Sequence, residues 1–146
     1  MGTYTEAFYH FVWATRKREW FVTDEIERPL YRYIEQRCSD LHVAVHAING
    51  MPDHVHLAVS LPATLAPAEF MNTVKGTSAH FVNHRPETKG CLYWQPGYGL
   101  LTFAYADLPR IIDHITRQKQ HHAAGKLSPK MERAADWENR LQKTMP

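Results

Sequence analysis

Residues 51–61 alternate polar and apolar side chains with a period of two: His54, His56, Ala58 and Ser60 against Val55, Leu57, Val59 and Leu61. That period marks a half-buried β-strand, whose successive side chains leave opposite faces of the sheet. Residues 4–14 are rich in aromatic and β-branched side chains and read as a first strand; residues 42–48 read as a second. Asn49-Gly50 then carries a two-residue hairpin signal, because a type I′ turn needs positive φ at both positions. It would join the second strand antiparallel to the histidine strand.

Between the first two strands, Leu30, Tyr33, Ile34 and Cys38 recur at helical spacing behind a cap at Thr23 or Asp24. Pro29 is awkward inside that helix and offers itself as the true first turn. Pro67 opens a second helix, with Phe70, Val74, Thr77 and Phe81 along it, and residues 83–90 form a polar loop. Residues 92–94 and 100–105 are strand pieces separated by Pro96, Gly97 and Gly99. Asp107 caps a last strong helix with the apolar stripe Leu108, Ile111, Ile112 and Ile115.

The order β-α-β-β-α-β followed by a helix predicts an α+β, ferredoxin-like antiparallel sheet with an additional C-terminal helix. Two helices cover one sheet face in that plan and leave the other open. Val55, Leu57, Val59 and Leu61 would face the helices, and His54 and His56 would stand on the open face. Residues 1–125 form the expected domain. Residues 126–146 form a polar tail, with room for a short helix around residues 131–141.

Composition changes this picture little. A chain of 146 residues, 44% apolar and 22% charged, is ordinary for one globular domain. Its net charge of +2 does not by itself announce a nucleic-acid binder. The local pattern says more: Arg16-Lys17-Arg18 lies between Trp13 and Trp20. That mixture of cations and flat rings suits single-stranded nucleic acid, with a solvated basic turn as the other reading. Cys38 and Cys91 match neither a zinc spacing nor a disulfide framework and fit a reducing compartment. No secretory signal and no apolar run approaching ~18 residues is present, so the expectation is a cytoplasmic protein with no membrane partner.

His54 and His56 leave the sheet on one side, one pleat apart. Two neutral imidazoles at that spacing can grip one divalent ion. A pair of ordinary buried histidines is the competing reading, and the open face favours the metal. His114, Gln118, His121 and His122 fall at i, i+4, i+7 and i+8 of the last helix, a polar stripe beside the apolar one. Gln118 offers a carbonyl oxygen, a hard donor suited to Mg²⁺ or Mn²⁺. A solvated helix face would look the same.

Met-Pro-Asp-His-Val-His-Leu at 51–57 resembles the histidine-hydrophobic-histidine (HUH) strand of the small single-tyrosine transposases. These are the TnpA-like enzymes of simple bacterial insertion sequences and their REP-associated relatives. His10-Phe-Val-Trp-Ala-Thr-Arg16 resembles their opening strand, and Val74-Lys75-Gly76-Thr77-Ser78 their lysine-glycine helix. Trp94-Gln95-Pro96-Gly97-Tyr98-Gly99 and Ile115-Thr-Arg-Gln118-Lys-Gln-His-His122 resemble two further segments, in the same order along most of the chain.

The resemblance implies a ferredoxin-like homodimer that binds hairpins in single-stranded DNA and cuts and rejoins strands in DNA transposition. It implies a divalent cation, Mg²⁺ or Mn²⁺, on His54, His56 and Gln118, and Arg16, Lys17, Arg18 and Lys75 as phosphate contacts. In the family a tyrosine one turn before the glutamine attacks phosphorus, a sensible role for a phenolate beside a charge-neutralising metal. Here His114 occupies that position. Three explanations compete: a relative that binds DNA without cutting it, a substitute nucleophile such as Tyr105 or Tyr98, or His114 itself as nucleophile or base.

Overall fold

The computed structural model describes residues 2–87 and 91–124. Its elements are β1 (Phe8–Ala14), α1 (Asp24–Asp40), β2 (Ala44–Met51), β3 (His54–Ser60), α2 (Pro67–Asn83), β4 (Gly99–Phe103), α3 (Leu108–Thr116) and α4 (Gln118–Ala124). Short 3₁₀ turns at Arg16–Arg18 and Tyr105–Asp107 follow β1 and β4. The strands form one antiparallel sheet in the order β2-β3-β1-β4, the split βαβ plan expected from the chain.

The alternation read in residues 54–60 sets the two faces. Phe11, Trp13, Val55, Leu57 and Val59 pack with Ile26, Leu30, Ile34 and Cys38 of α1 and Phe70, Met71, Val74 and Val82 of α2. Burying a side chain such as Leu30 or Ile34 contributes about 1.5–3 kcal/mol. The α2 stripe is rotated from the expected one: Met71, Ser78 and Val82 join Phe70 and Val74 in the interior, while Phe81 lies on the flank and stacks on Tyr33 at 4.4 Å. Cys38 behaves as a buried hydrophobe, its thiol pushed up to about 12 by burial and then by the Glu35 charge.

Several local expectations are corrected. β1 starts at Phe8 rather than residue 4, and His42 (φ 58°) belongs to the turn after α1. α1 runs from Asp24 straight through Pro29. Residues 92–94 contribute one isolated bridge, Thr15 to Trp94. Thr23 and Asp107 stand at their helix starts but make no side-chain cap bond.

The hairpin is also placed differently. Asn49 and Gly50 lie inside β2, opposite His56 and Val55, and the chain reverses at Pro52-Asp53. Gly50 serves close approach instead of a turn: a Cβ there would sit 2.1 Å from the His54 carbonyl oxygen.

The second sheet face is not open. α3 and α4 lie over it, Ile111 and Ile115 packing on Ala47 and Ala58. Those two alanines are small enough to let a helix come down on the sheet. The predicted last helix is broken into two at Arg117 (φ −105°, ψ 22°). The polar tail beyond residue 124, including the helix expected around residues 131–141, lies outside the described residues.

Candidate metal and nucleic-acid site

β1 and β3 bring His10, His54 and His56 to the face beneath α3 and α4. In the β1–β3 register Val12 lies opposite His56, Ala14 opposite His54 and Ala58 opposite His10. Cross-strand diagonals are within reach of long side chains, and the small Ala58 leaves the His10 ring room to lean toward His56. The His54 and His56 ring centroids are 5.1 Å apart, as are those of His10 and His56. α3 adds His114, 5.6 Å from His56, and α4 adds Gln118 and His122, the latter ring 5.4 Å from His54. His54 is 2% exposed, His56 and Gln118 are fully buried, and His114 is 5% exposed. Gln118 therefore reaches the cluster from its own chain. The His121 side chain lies outside the described part.

Hydrogen bonds connect this cluster. His54 donates from Nδ1 to Asp53 Oδ1 at 2.6 Å, which leaves its buried Nε2 as a lone-pair donor with no hydrogen-bond partner among the described residues. His56 Nδ1 and His10 Nε2 share a hydrogen at 2.9 Å. Gln118 donates from Nε2 to His114 Nε2 at 3.0 Å, and His122 donates from Nε2 to Gln118 Oε1 at 3.0 Å. A carbonyl oxygen has two lone pairs, so accepting from His122 does not by itself exhaust Gln118 Oε1. Burial holds His56 well below the ordinary imidazole value, reinforced by the charges of His10, His54, His114 and His122. A neutral imidazole is the form that ligates a metal.

This donor set fits a divalent cation. Among the described residues no three His, Cys, Asp or Glu side chains are placed to hold a metal ion, and the Gln118 amide is a further oxygen donor beside the histidines. The Asp53–His54 contact is the carboxylate–histidine arrangement that orients metal-ligating imidazoles.

The basic turn adjoins the same site. Lys17 (φ 55°) and Arg18 (φ 57°) take left-handed backbone, and the Lys17 amide donates to Gln95 Oε1 at 3.1 Å. Arg18 Nε meets Asp53 Oδ2 at 3.3 Å. The Arg16 guanidinium lies 4.5 Å over the Tyr93 ring, and Trp20 is 76% exposed nearby in sequence. Lys75 donates to the carbonyls of Gln95 and Gly97, both at 2.7 Å, and so braces residues 95–97.

Neither tyrosine weighed as a substitute lies in the histidine cluster. Tyr98 packs on the face covered by α1 and α2, 5.9 Å from Phe11. Tyr105 is 66% exposed and leans on Phe8 at 6.0 Å. Phe8 is four residues from Val12, the residue opposite His56, or about 13 Å along the strand. The sequence reading missed His10 and Asp53. Both stood inside recognised segments, and the signal for His10 was its even spacing from Val12 and Ala14, which puts it on the histidine face.

Comparison with known proteins agrees with this architecture. The profile of the family described as "Transposase IS200 like" matches residues 3–118. The ISDra2 transposase TnpA of Deinococcus radiodurans is 29% identical over 116 residues, covering 75% of this chain and 82% of that protein. The fold resembles a crystal structure from Deinococcus radiodurans R1 described as a transposase, with a TM-score of 0.60, 24% identity and coverage of 88% and 97%. It also resembles a REP-associated tyrosine transposase bound to a REP hairpin, with a TM-score of 0.62, 17% identity and coverage of 87% and 76%. With that family's profile spanning residues 3–118, most of its length, the chain belongs to the IS200-like transposase family.

Proposed function

We propose that this protein acts in DNA transposition by binding hairpin-forming single-stranded DNA and presenting a phosphate to a divalent cation, Mg²⁺ or Mn²⁺, on His54, His56 and Gln118, where the strand is cut and rejoined. The observation that carries the reading is His54: its Nδ1 is tied to Asp53 and its Nε2 is buried without a hydrogen-bond partner among the described residues. When bound, the cation would neutralise charge on the scissile phosphate. The chain's own part is to hold two neutral imidazoles and an amide oxygen on one face, and to hold backbone phosphates with Arg16, Lys17 and Arg18. Binding of a REP hairpin by the similar REP-associated transposase supports the choice of DNA partner. A homodimer belongs to the same reading, with β2 and β4 as the sheet's edge strands.

α4 packs beside β2. Lys119 holds it there, bonding Glu27 Oε1 at 2.5 Å, Asn49 Oδ1 at 2.9 Å and the Gly50 carbonyl at 3.2 Å. His114 is the residue of α3 that faces the cluster. Attack through its Nε2 would form a P–N bond and release the 3′-oxygen, which takes up a proton.

A second reading, DNA binding without strand transfer, is favoured by one observation: His114 stands where the family has tyrosine, and its Nε2 already accepts from Gln118. One experiment separates them. The protein is incubated with a single-stranded hairpin oligonucleotide and Mn²⁺ and run on a denaturing gel. A covalent adduct supports cutting and rejoining; cleaved ends without an adduct mean hydrolysis by water. Mobility-shift binding with intact DNA supports the second reading, and absence of binding overturns both.

A further inference from the structure

His10 is fully buried in β1 and makes a 2.9 Å hydrogen bond, through Nε2, to His56 Nδ1. The bond has two possible directions with opposite consequences. If His10 donates, His56 Nδ1 is the acceptor, the His56 proton sits on Nε2, and that nitrogen cannot ligate a cation. If His56 donates, its Nε2 carries the lone pair that a metal needs, and His10 accepts. The tautomer of one ring fixes the tautomer of the other.

The partner histidine shows the same arrangement with its direction fixed. Asp53 can only accept, so His54 carries its proton on Nδ1 and offers Nε2. A site in which both rings ligate through Nε2 requires His56 to match.

We propose that His10 is a positioning residue: it accepts the His56 Nδ1 hydrogen, presets the Nδ1–H tautomer and aims the His56 Nε2 lone pair at the cation, doing for His56 what Asp53 does for His54. The inference rests on the reading of His56 as a metal ligand. It assigns to β1 an outer partner of the metal site that is a neutral imidazole, not the carboxylate or carbonyl usual for ligating histidines. A neutral acceptor adds no charge beneath the sheet, which suits a fully buried position.

The test uses the whole chain labelled with ¹⁵N at histidine. Long-range ¹H–¹⁵N spectra of the metal-free protein report which ring nitrogen carries each proton. The expected result is His56 protonated at Nδ1 and His10 unprotonated at Nε2; His56 protonated at Nε2 overturns the proposal. Titration with Mn²⁺ alone, followed by calorimetry, gives the second readout. His10→Phe keeps an apolar ring but removes the acceptor and should lose about 10–100-fold in affinity. His10→Gln, whose amide oxygen can reach the Nε2 position, should restore most of it.

Wild-type affinity in a folded His10→Phe variant overturns the role. Should that variant not fold, as judged by circular dichroism, the wild-type tautomer and the His10→Gln titration decide. Failure of the wild-type protein to bind Mn²⁺ sinks the metal reading itself, and the tautomer spectrum still decides whether His10 accepts.

Discussion

The Asp53 carboxylate holds His54 by Nδ1 at 2.6 Å from within the turn that delivers the histidine strand. Burial alone would raise the Asp53 carboxyl, but the hydrogen bond from His54, together with the Arg18 charge, keeps it below the ordinary 3.8. It is therefore ionised at neutral pH and accepts from both neighbours. Asp53→Asn keeps the shape and removes the charge. Affinity for Mn²⁺ should fall about 10–100-fold, read by calorimetry, with the fold retained. An unchanged affinity would show that Asp53 does not orient His54 for a metal.

Acid should weaken the fold through His56. Its folded value lies well below 6.5, chiefly from burial, whereas in the unfolded chain it titrates near 6.5. Above that pH both states are neutral and stability is unaffected. As pH falls below about 6.5 the unfolded state binds a proton that the folded state resists, so stability declines. His46, lowered by burial, acts in the same direction. Asp53 adds a further loss only below 3.8. Thermal melts from pH 7.5 to 5 should show a falling midpoint, and His56→Gln should show a shallower fall.

The chain's periodicities gave away most of this architecture. The apolar phase Val55, Leu57, Val59 and the spacing of Leu30, Ile34 and Cys38 name the residues that meet in the core beneath α1 and α2. The covered second face was not legible, because whether a helix docks depends on the surface it meets. Ala47 and Ala58 make that docking possible, and nothing in the periodicity of α3 names them. Asn49-Gly50 misled for a related reason: glycine permits positive φ and close approach alike, and the neighbouring His54 carbonyl decides which is used.

Gly50→Ala tests that close approach. The added Cβ would meet the β3 backbone, the His54 oxygen at 2.1 Å and Val55 Cα at 2.9 Å, and neither can swing away. The β2–β3 pair must part locally, at a cost of about 1–3 kcal/mol. Denaturant unfolding should show that destabilisation. The His54 ring should move with its backbone, so Mn²⁺ affinity should fall as well.

The cations of the basic turn and of α2 should separate in a salt titration. Arg16, Lys17 and Arg18 lie on a turn beside Tyr93 and Trp20, whereas Lys75 holds the carbonyls of Gln95 and Gly97. Replacing the three turn residues with alanine should weaken hairpin DNA binding and flatten its dependence on salt, by roughly one unit of slope for each phosphate that is no longer neutralised. Lys75→Ala should instead lower the melting temperature, because two carbonyls are then left without their donor. A flattened slope in Lys75→Ala with normal stability would make Lys75 a phosphate ligand after all.

His114 stands four residues before Gln118, its ring 5.6 Å from His56, on the buried side of α3. His114→Tyr would place a phenol over the same face, where a divalent cation can lower the barrier to phenolate attack on phosphorus. The attack forms a tyrosine–phosphate ester and releases a 3′-hydroxyl. The substitution also removes the imidazole acceptor for Gln118 Nε2, and the tyrosine oxygen is the acceptor that replaces it. With hairpin DNA and Mn²⁺, His114→Tyr should yield a covalent protein–DNA adduct on a denaturing gel, and His54→Ala in the same background should abolish it. If His114→Tyr binds the hairpin and Mn²⁺ normally yet forms no adduct, the geometry of α3 rather than the missing phenol is what limits strand transfer.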